Sequence, residues 1–331
     1  MSEVPPDLWT LDGHSDSVIL RLYEGSPTDL SPVEGKVYNM TLPRLREGRL
    51  LGIFMMVGDK HLVPSLRMIE QMHALHRDRP ADFAVCTTAS EVRAAVAANR
   101  VGLVMTLEGQ SMFEEKVELL RVWHRLGCRL YSLTHGEGTE AVPTALQGSR
   151  SFFGYLSPAL REELRRAHKG LTAFGKEALK EMGRLGIACD LAHANDAAFW
   201  DAMELATGPV CSTHAACAAL APHTRNLTDE MLRALAQRKG VLGVCFYTPF
   251  VHQTNPTMDA YVEHILHALE IMGEDGVGIG TDYDGGGDES HLVIPNPAGF
   301  NALWEALDKK GVPRRILVKI AHENFLGLLP A

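Results

Sequence analysis

Short apolar runs alternate along the chain with longer segments in which apolar residues recur at helical spacing. Runs of this kind are typical of buried parallel strands, and the longer segments are typical of amphipathic crossover helices. Eight strands are predicted, at residues 8–13, 50–57, 102–108, 128–134, 187–192, 209–213, 241–246 and 277–281, and the run FAVC at 83–86 is a candidate ninth.

The helical period is clear in two of the intervening segments. One apolar face combines Phe174, Ala178, Leu179, Met182 and Leu185, and another combines Val262, Ile265, Leu266, Leu269 and Met272. Asn195 and Thr228 are expected to be helix N-caps, because their side-chain oxygens can accept from the first-turn amides. Strands that alternate with such helices predict βαβ units and a parallel sheet.

Polar residues at the predicted strand ends decide between an open sheet and a closed barrel. Strand ends lead into His14, Asp16, Glu108, His135, His193, His214 and Asp282. A closed barrel gathers the C-terminal ends of its strands around one mouth, whereas an open sheet would spread these residues along an edge. The pattern therefore predicts a (β/α)₈ barrel with its active site at that mouth, formed as a single domain by residues 1–331.

Composition limits the partners of this barrel. The chain has 331 residues, 46% of them hydrophobic and 22% charged, and a formal net charge of -9. An acidic chain without basic runs argues against nucleic acid and an anionic membrane as partners. The six cysteines lack C-x-x-C spacing and sit in apolar runs, so buried free thiols are expected. Without a basic, apolar signal sequence near residue 1, a cytoplasmic location is expected.

Five of the strand-end residues have the chemistry of zinc ligands: His14, Asp16, Glu108, His193 and His214. An H-x-D pair alone is weak evidence, since polar clusters are common in turns. Buried carboxylates and imidazoles are costly unless they are ligated or hydrogen-bonded, so five at corresponding positions indicate a metal site. Five ligands exceed the three of one catalytic zinc, which predicts two Zn²⁺ bridged by Glu108 and a water or hydroxide.

Three further residues are candidates for substrate chemistry. Asp282 is predicted to move a proton from the attacking water to the leaving amine, with a sixth metal ligand or a ligand partner as its alternative role. His135 is predicted to bind substrate and stabilise an oxyanion. Arg225 is predicted to bind a substrate carboxylate through its planar guanidinium, although an isolated arginine is more often a surface ion-pair residue.

Several other features have ordinary structural explanations. The pairs His73/His76 and His264/His267 have helical spacing, but each lacks a third ligand, so solvated helix surface is expected. Arg161, Arg165 and Arg166 alternate with acidic residues, which predicts a solvated helix face. Asp284 is expected to be a turn residue before the glycines at 285–287.

The chain resembles the membrane (renal) dipeptidase family of zinc metallopeptidases, as a bacterial-type soluble member. The similar segments include LDGHSD, TLEGQ, LYSLTH, the stretch leading to IACDLAH, PVCSTHAACAAL, HTRNLTDEML, VGIGTDYDG and AHENFLGLL. The match is colinear from about Leu11 to Leu329.

The resemblance implies one zinc held by His14, Asp16 and Glu108, and another held by Glu108, His193 and His214. It also matches His135 and Arg225 to substrate-binding residues and Asp282 to the acid that handles protons, and it implies a homodimer.

The chain departs from the family pattern at Ser15, Gln110 and Thr224, and over residues 136–169. Gln110 is expected near the metals, and the 136–169 segment is expected to lie over the mouth as a lid or pocket wall.

The sequence therefore predicts a zinc dipeptidase in which a metal-bridging hydroxide attacks the peptide bond of a small dipeptide. The altered segments keep a second hypothesis open, that of an acylase, lactonase or deaminase. A third, a catalytically idle barrel or a biosynthetic tailoring protein that kept the fold, is disfavoured because all five ligand positions and Asp282 are present.

Overall fold

The computed structural model describes residues 7–58, 61–109, 111–135, 157–166, 169–285 and 288–331. The strands are β1 (Thr10–Ser15), β2 (Leu50–Gly58), β3 (Phe83–Cys86), β4 (Val101–Glu108), β5 (Leu130–Ser132), β6 (Ala188–Asp190), β7 (Val210–Ala215), β8 (Val241–Cys245) and β9 (Val277–Gly280). The α-helices are α1 (Ser17–Tyr23), α2 (Leu42–Glu47), α3 (Leu62–Asp78), α4 (Ala89–Ala97), α5 (Glu118–Arg125), α6 (Pro158–Arg166), α7 (Ala173–Leu185), α8 (Asp196–Leu205), α9 (Asp229–Gln237), α10 (Thr248–Val251), α11 (Met258–Met272), α12 (Phe300–Lys309), α13 (Arg314–Val318) and α14 (Asn324–Leu326).

Eight parallel strands close into a barrel, as predicted. Neighbouring strands pair in the order β2-β1-β9-β8-β7-β6-β5-β4, and the pairing of β2 with β4 closes the ring. The candidate ninth strand, β3, pairs with Val101–Val104 in the first half of β4, whereas β5 pairs with Thr106–Glu108 in the second half. The strand β3 is therefore an extension beside β4 and not a member of the barrel wall.

Strand ends differ from the predicted bounds where they carry site residues. The first strand was predicted to end at residue 13, but β1 includes His14 and Ser15. The H-x-D pair predicts two alternate residues of one extended strand, but Asp16 is the N-cap of α1, with φ -101° and ψ 8°, and lies beyond the strand. The register between β7 and β8 shifts between Ser212 and Ala215, where His214 lies.

The outer helices bury the predicted faces. Ala178, Leu179 and Met182 of α7 are buried, as are Val262, Ile265 and Met272 of α11. Asn195 caps α8 by accepting from the Ala198 amide, and Thr228 caps α9 by accepting from the Met231 amide. All six cysteines are buried and unbridged, as expected.

One of the helical histidines was wrongly predicted to be solvated. His73 and His76 are exposed on α3, but His264 is completely buried on α11. Its Nδ1 accepts from the Cys217 amide at 3.1 Å, and its Nε2 lies 2.8 Å from the Val251 carbonyl oxygen. The ring therefore joins α11 to the end of α10 and to the loop after β7, which is a structural role. The described part of the chain contains no helix that is both long and apolar enough to cross a bilayer.

The barrel interior is filled from below by Phe325, which follows a π-helical turn (Lys319–Glu323) between α13 and α14. Glycines leave room for this ring: a Cβ added to Gly278 would lie 2.5 Å from Phe325 Cε2, and one added to Gly13 would lie 2.5 Å from Cζ. The Phe325 ring also packs edge-on against Phe54, with centroids 5.7 Å apart. These glycines are therefore required by close packing.

We expect Gly278→Ala to lower the free energy of unfolding by about 1–3 kcal/mol, because overpacking forces a fully buried ring to move. The atoms nearest to the added methyl group all belong to Phe325. The same substitution in a Phe325→Leu background should therefore cost less. Urea denaturation of the four proteins measures this coupling. Equal costs in both backgrounds would contradict the packing role.

Candidate metal centre

Five side chains from four segments of the chain meet at the C-terminal mouth of the barrel. Glu108 is the last residue of β4, and it is 2% exposed. His14 lies near the end of β1, His214 lies within β7, and both are buried. His193 follows β6 with a left-handed backbone, at φ 68°, which turns the chain sharply at the strand end. Asp16 completes the set at the start of α1.

Glu108 is the centre of this arrangement, because its two oxygens face different partners. Its Oε1 lies 3.3 Å from His193 Nε2 and 3.6 Å from His214 Nε2. Its Oε2 lies 3.6 Å from His14 Nε2, which is also 3.4 Å from Asp16 Oδ2. The two histidine nitrogens on the Oε1 side are 3.0 Å apart. The carboxylate thus stands between two groups of ligand atoms.

The donor atoms fit metal ions. Ligand atoms held tetrahedrally about 2.0–2.1 Å from one zinc lie about 3.3 Å from one another, close to the distances observed. Among the described residues, His14 Nδ1, His14 Nε2 and Glu108 Oε1 are buried without a hydrogen-bond partner. Buried polar atoms without partners are rare and costly, so these need a ligand such as a cation. Three overlapping groups of possible metal ligands include these residues.

Burial and neighbouring charges together set the pKa of each histidine. It lowers the pKa of both His193 and His214 well below the usual value, assisted by the Arg225 charge at His193 and the His14 charge at His214. Neutral imidazole is the form that binds metal. Burial opposes charge on His14 as well, but Glu108 and Asp16 outweigh it and raise the His14 pKa to about 10.

Asp282 lies beside this cluster in the loop after β9, with a left-handed backbone at φ 58°. It shares a possible cation site with His14 and Asp16. Burial, followed by the charge of Asp16, raises the Asp282 pKa to about 7. A Cβ added to Gly285 would lie 2.0 Å from Asp16 Oδ2 and 2.7 Å from Asp282 Oδ1, so a larger residue there would displace the two carboxyl groups.

The two predicted substrate residues flank the same cluster. His135 Nε2 lies 3.7 Å from Glu108 Oε2, and the side chain is 32% exposed, which leaves it open to the mouth. Arg225 is buried, donates to the His214 carbonyl oxygen at 3.0 Å and lies over the Phe250 ring. Its Nε has no hydrogen-bond partner among the described residues. All eight predicted site residues therefore converge on one end of the barrel.

Arg165 was wrongly placed on a solvated helix face. It projects from α6 and forms an ion pair with Asp196 at 2.8 Å. Its Nη2 donates to the carbonyl oxygens of His223 and Asn226, at 3.2 and 3.1 Å. These residues flank Arg225, so α6 supports the loop that carries the guanidinium. The Arg166 side chain, Gln110, and residues 136–156 and 167–168 of the expected lid lie outside the described structure.

Asp284 is a turn residue, as expected, but it also anchors the loop that carries Asp282. It is buried, accepts from the Asn39 amide at 2.7 Å and from the Ser17 hydroxyl, and its own amide donates to Asn39 Oδ1 at 2.8 Å. No local pattern around Asp284 indicates this partner, because Asn39 lies far away in the chain.

Comparisons with known proteins agree with this geometry. The model of the membrane dipeptidase family, peptidase family M19, matches residues 1–331. Among curated proteins, the dipeptidase ataJ of Aspergillus terreus is 28% identical, over 96% of this chain and 83% of its own length. The dipeptidase tcpJ of Claviceps purpurea is 27% identical, over 96% of this chain and 76% of its own length.

A solved structure shows the same architecture. The crystal structure of a metallopeptidase from Rhodobacter sphaeroides, liganded with a phosphinate mimic of the dipeptide L-Ala-D-Ala, has a TM-score of 0.85 and 25% sequence identity. The match covers 97% of this chain and 98% of the bacterial one.

Proposed function

The chain belongs to the membrane dipeptidase family, peptidase family M19, and is a metal-dependent hydrolase; from this premise we propose that it is a dinuclear zinc dipeptidase. The single observation that carries the proposal is the position of Glu108, whose Oε1 faces His193 and His214 and whose Oε2 faces His14. A bridging carboxylate needs this arrangement, and one catalytic zinc would not use five protein ligands.

The ligands divide between the two oxygens of Glu108. His14 and Asp16 would hold one zinc with Oε2, and His193 and His214 would hold the other with Oε1. When bound, such a pair of ions lowers the pKa of a shared water and polarises a carbonyl group. The protein residues around the pair then position the substrate and move its protons.

Arg225 and His135 would orient a dipeptide from two sides. The buried guanidinium, with its Nε unpaired among the described residues, would bind the free carboxylate through charge-assisted hydrogen bonds. His135, half-open at the mouth, would donate a hydrogen bond to the developing oxyanion. A fixed distance between these residues would select dipeptides, because the carboxylate of a longer peptide lies too far from its first peptide bond.

A substrate panel on the zinc-loaded protein tests this function. We expect hydrolysis of dipeptides with L- or D-residues at the second position, and much slower turnover of tripeptides, N-acyl amino acids and lactones. Fast turnover of an N-acyl amino acid or a lactone, with dipeptides untouched, would replace the dipeptidase proposal with one of an acylase or lactonase. Elemental analysis should find two zinc ions per chain.

We expect Arg225→Met to raise KM for a dipeptide by about 10- to 100-fold, since a hydrogen bond to a charged group contributes about 1.5–3 kcal/mol. The loss should be much smaller for the corresponding dipeptide amide, which has no carboxylate to bind. Steady-state kinetics with both substrates measures the difference, and Arg233→Met, at an exposed site on α9, is the control. Equal losses for acid and amide would argue against carboxylate binding.

A further inference from the structure

Two buried aspartates hold the barrel mouth together with the same pair of hydrogen bonds, which we call the Asp–Thr clamps. Asp12 Oδ1 accepts from the Thr281 amide at 2.8 Å, and Oδ2 accepts from the Thr281 hydroxyl at 2.7 Å. Asp190 Oδ1 accepts from the Thr213 amide at 2.8 Å, and Oδ2 accepts from the Thr213 hydroxyl at 2.7 Å. Each clamp joins two neighbouring barrel segments.

Each clamp threonine stands directly before a site residue. Thr281 precedes Asp282, and Thr213 precedes His214. The clamps therefore fix the backbone at two points of the mouth from which functional side chains project. None of the four clamp residues contributes a predicted ligand atom.

The clamps differ in what else the threonine hydroxyl contacts. Thr213 Oγ1 lies 2.9 Å from His214 Nδ1. At the other clamp, Thr281 Oγ1 accepts from the Tyr283 amide at 3.0 Å and forms no hydrogen bond with an imidazole among the described residues. Only the Asp190 clamp thus connects a carboxylate to a metal-binding side chain.

The direction of the hydrogen bonds follows from the donors around Asp190. Its carboxylate also accepts from the Ala192 amide at 3.0 Å and from the Ser132 hydroxyl. A carboxylate accepts and does not donate, so the Thr213 hydroxyl donates its one proton to Asp190. The Thr213 oxygen can then only accept from the imidazole, which places the imidazole proton on Nδ1.

We propose that Asp190 and Thr213 are positioning residues that hold His214 in the tautomer protonated at Nδ1. His214 Nε2 then keeps its lone pair and points toward Glu108 Oε1 and His193 Nε2, where a metal ion would bind. A hydrogen bond to the distal nitrogen of a ligating histidine also fixes the ring and makes it a stronger ligand. The inference rests on the proposed use of His214 as a ligand.

Zinc affinity and the tautomer of His214 test this positioning role of Asp190 and Thr213 without any substrate. Thr213→Val removes the hydroxyl at nearly constant volume, and Thr213→Ser keeps it. We expect Thr213→Val to weaken one of the two zinc equivalents by about 10- to 100-fold in competition with a chromophoric chelator. Thr213→Ser should restore most of that affinity. Thr281→Val, which breaks the matched hydrogen bond to Asp12, should weaken zinc binding less.

The nitrogen-15 spectrum of histidine-labelled protein gives the second readout. We expect the His214 imidazole to be protonated at Nδ1 in the parent and Thr213→Ser proteins and to change its protonation pattern in Thr213→Val. The proposed positioning role is overturned if Thr213→Val binds both zinc ions as tightly as the parent. It is also overturned if Thr281→Val weakens zinc binding as much as Thr213→Val does. A parent protein that binds two zinc ions but cleaves no dipeptide would refute the proposed function and leave this result standing.

Discussion

Glu108→Gln is expected to remove both metal ions and to abolish hydrolysis, the largest effect that any single site substitution should have here. The amide keeps the size of the carboxylate but has no charge, and only one of its two terminal atoms can bind a cation. Both ligand groups face Glu108, so one proposed zinc site would lose a ligand and the other would keep only an uncharged oxygen in its place. Losing several kcal/mol of metal-assisted stabilisation corresponds to about 10³-fold or more in rate.

Elemental analysis after dialysis, together with dipeptide hydrolysis, measures this result. Glu177→Gln makes the same chemical change at an exposed position of α7 and should keep two zinc ions and full activity. Circular dichroism distinguishes loss of metal from loss of fold. A folded Glu108→Gln protein with two tightly bound zinc ions would mean that the carboxylate does not bridge them.

The barrel could be predicted from the sequence because its strands are short, buried and apolar. Burying a polar side chain at a strand end costs free energy, so several such residues indicate a functional site. A residue such as Glu108, directly after GLVMTL, locates the end of its strand to within one or two residues. The position of β3 could not be predicted in this way, since a short apolar run has the same appearance inside and outside the barrel wall. Its pairing depends on the length of β4.

Residues that support the site escaped prediction because their partners lie far away in the chain. His264 has the spacing of a surface histidine, yet it joins α11 to Cys217 and Val251. Arg165 has acidic neighbours on α6, yet it binds the backbone around Arg225. The sequence shows which groups carry charge, but a contact between distant segments decides whether that charge is solvated.

Asp282→Asn is expected to lower kcat by about 10²- to 10⁴-fold while both zinc ions remain bound, because general acid–base catalysis contributes that much. The amide has nearly the shape of the carboxyl group but cannot take a proton from water and pass it to the leaving nitrogen. KM should change little, since Arg225 and His135 would still bind the substrate. Asp308→Asn, at an exposed position of α12, is the matched control.

The same variant separates the two roles that Asp282 could have. Its carboxyl group lies in a possible cation site with His14 and Asp16, so a ligand role would show as lost zinc. A proton-transfer role would instead leave zinc content and affinity unchanged and remove only turnover. Because burial beside Asp16 raises the Asp282 pKa, replacing it with a neutral amide should not reduce the free energy of unfolding. Normal turnover by Asp282→Asn would exclude proton transfer through this residue and leave that step to another group at the mouth.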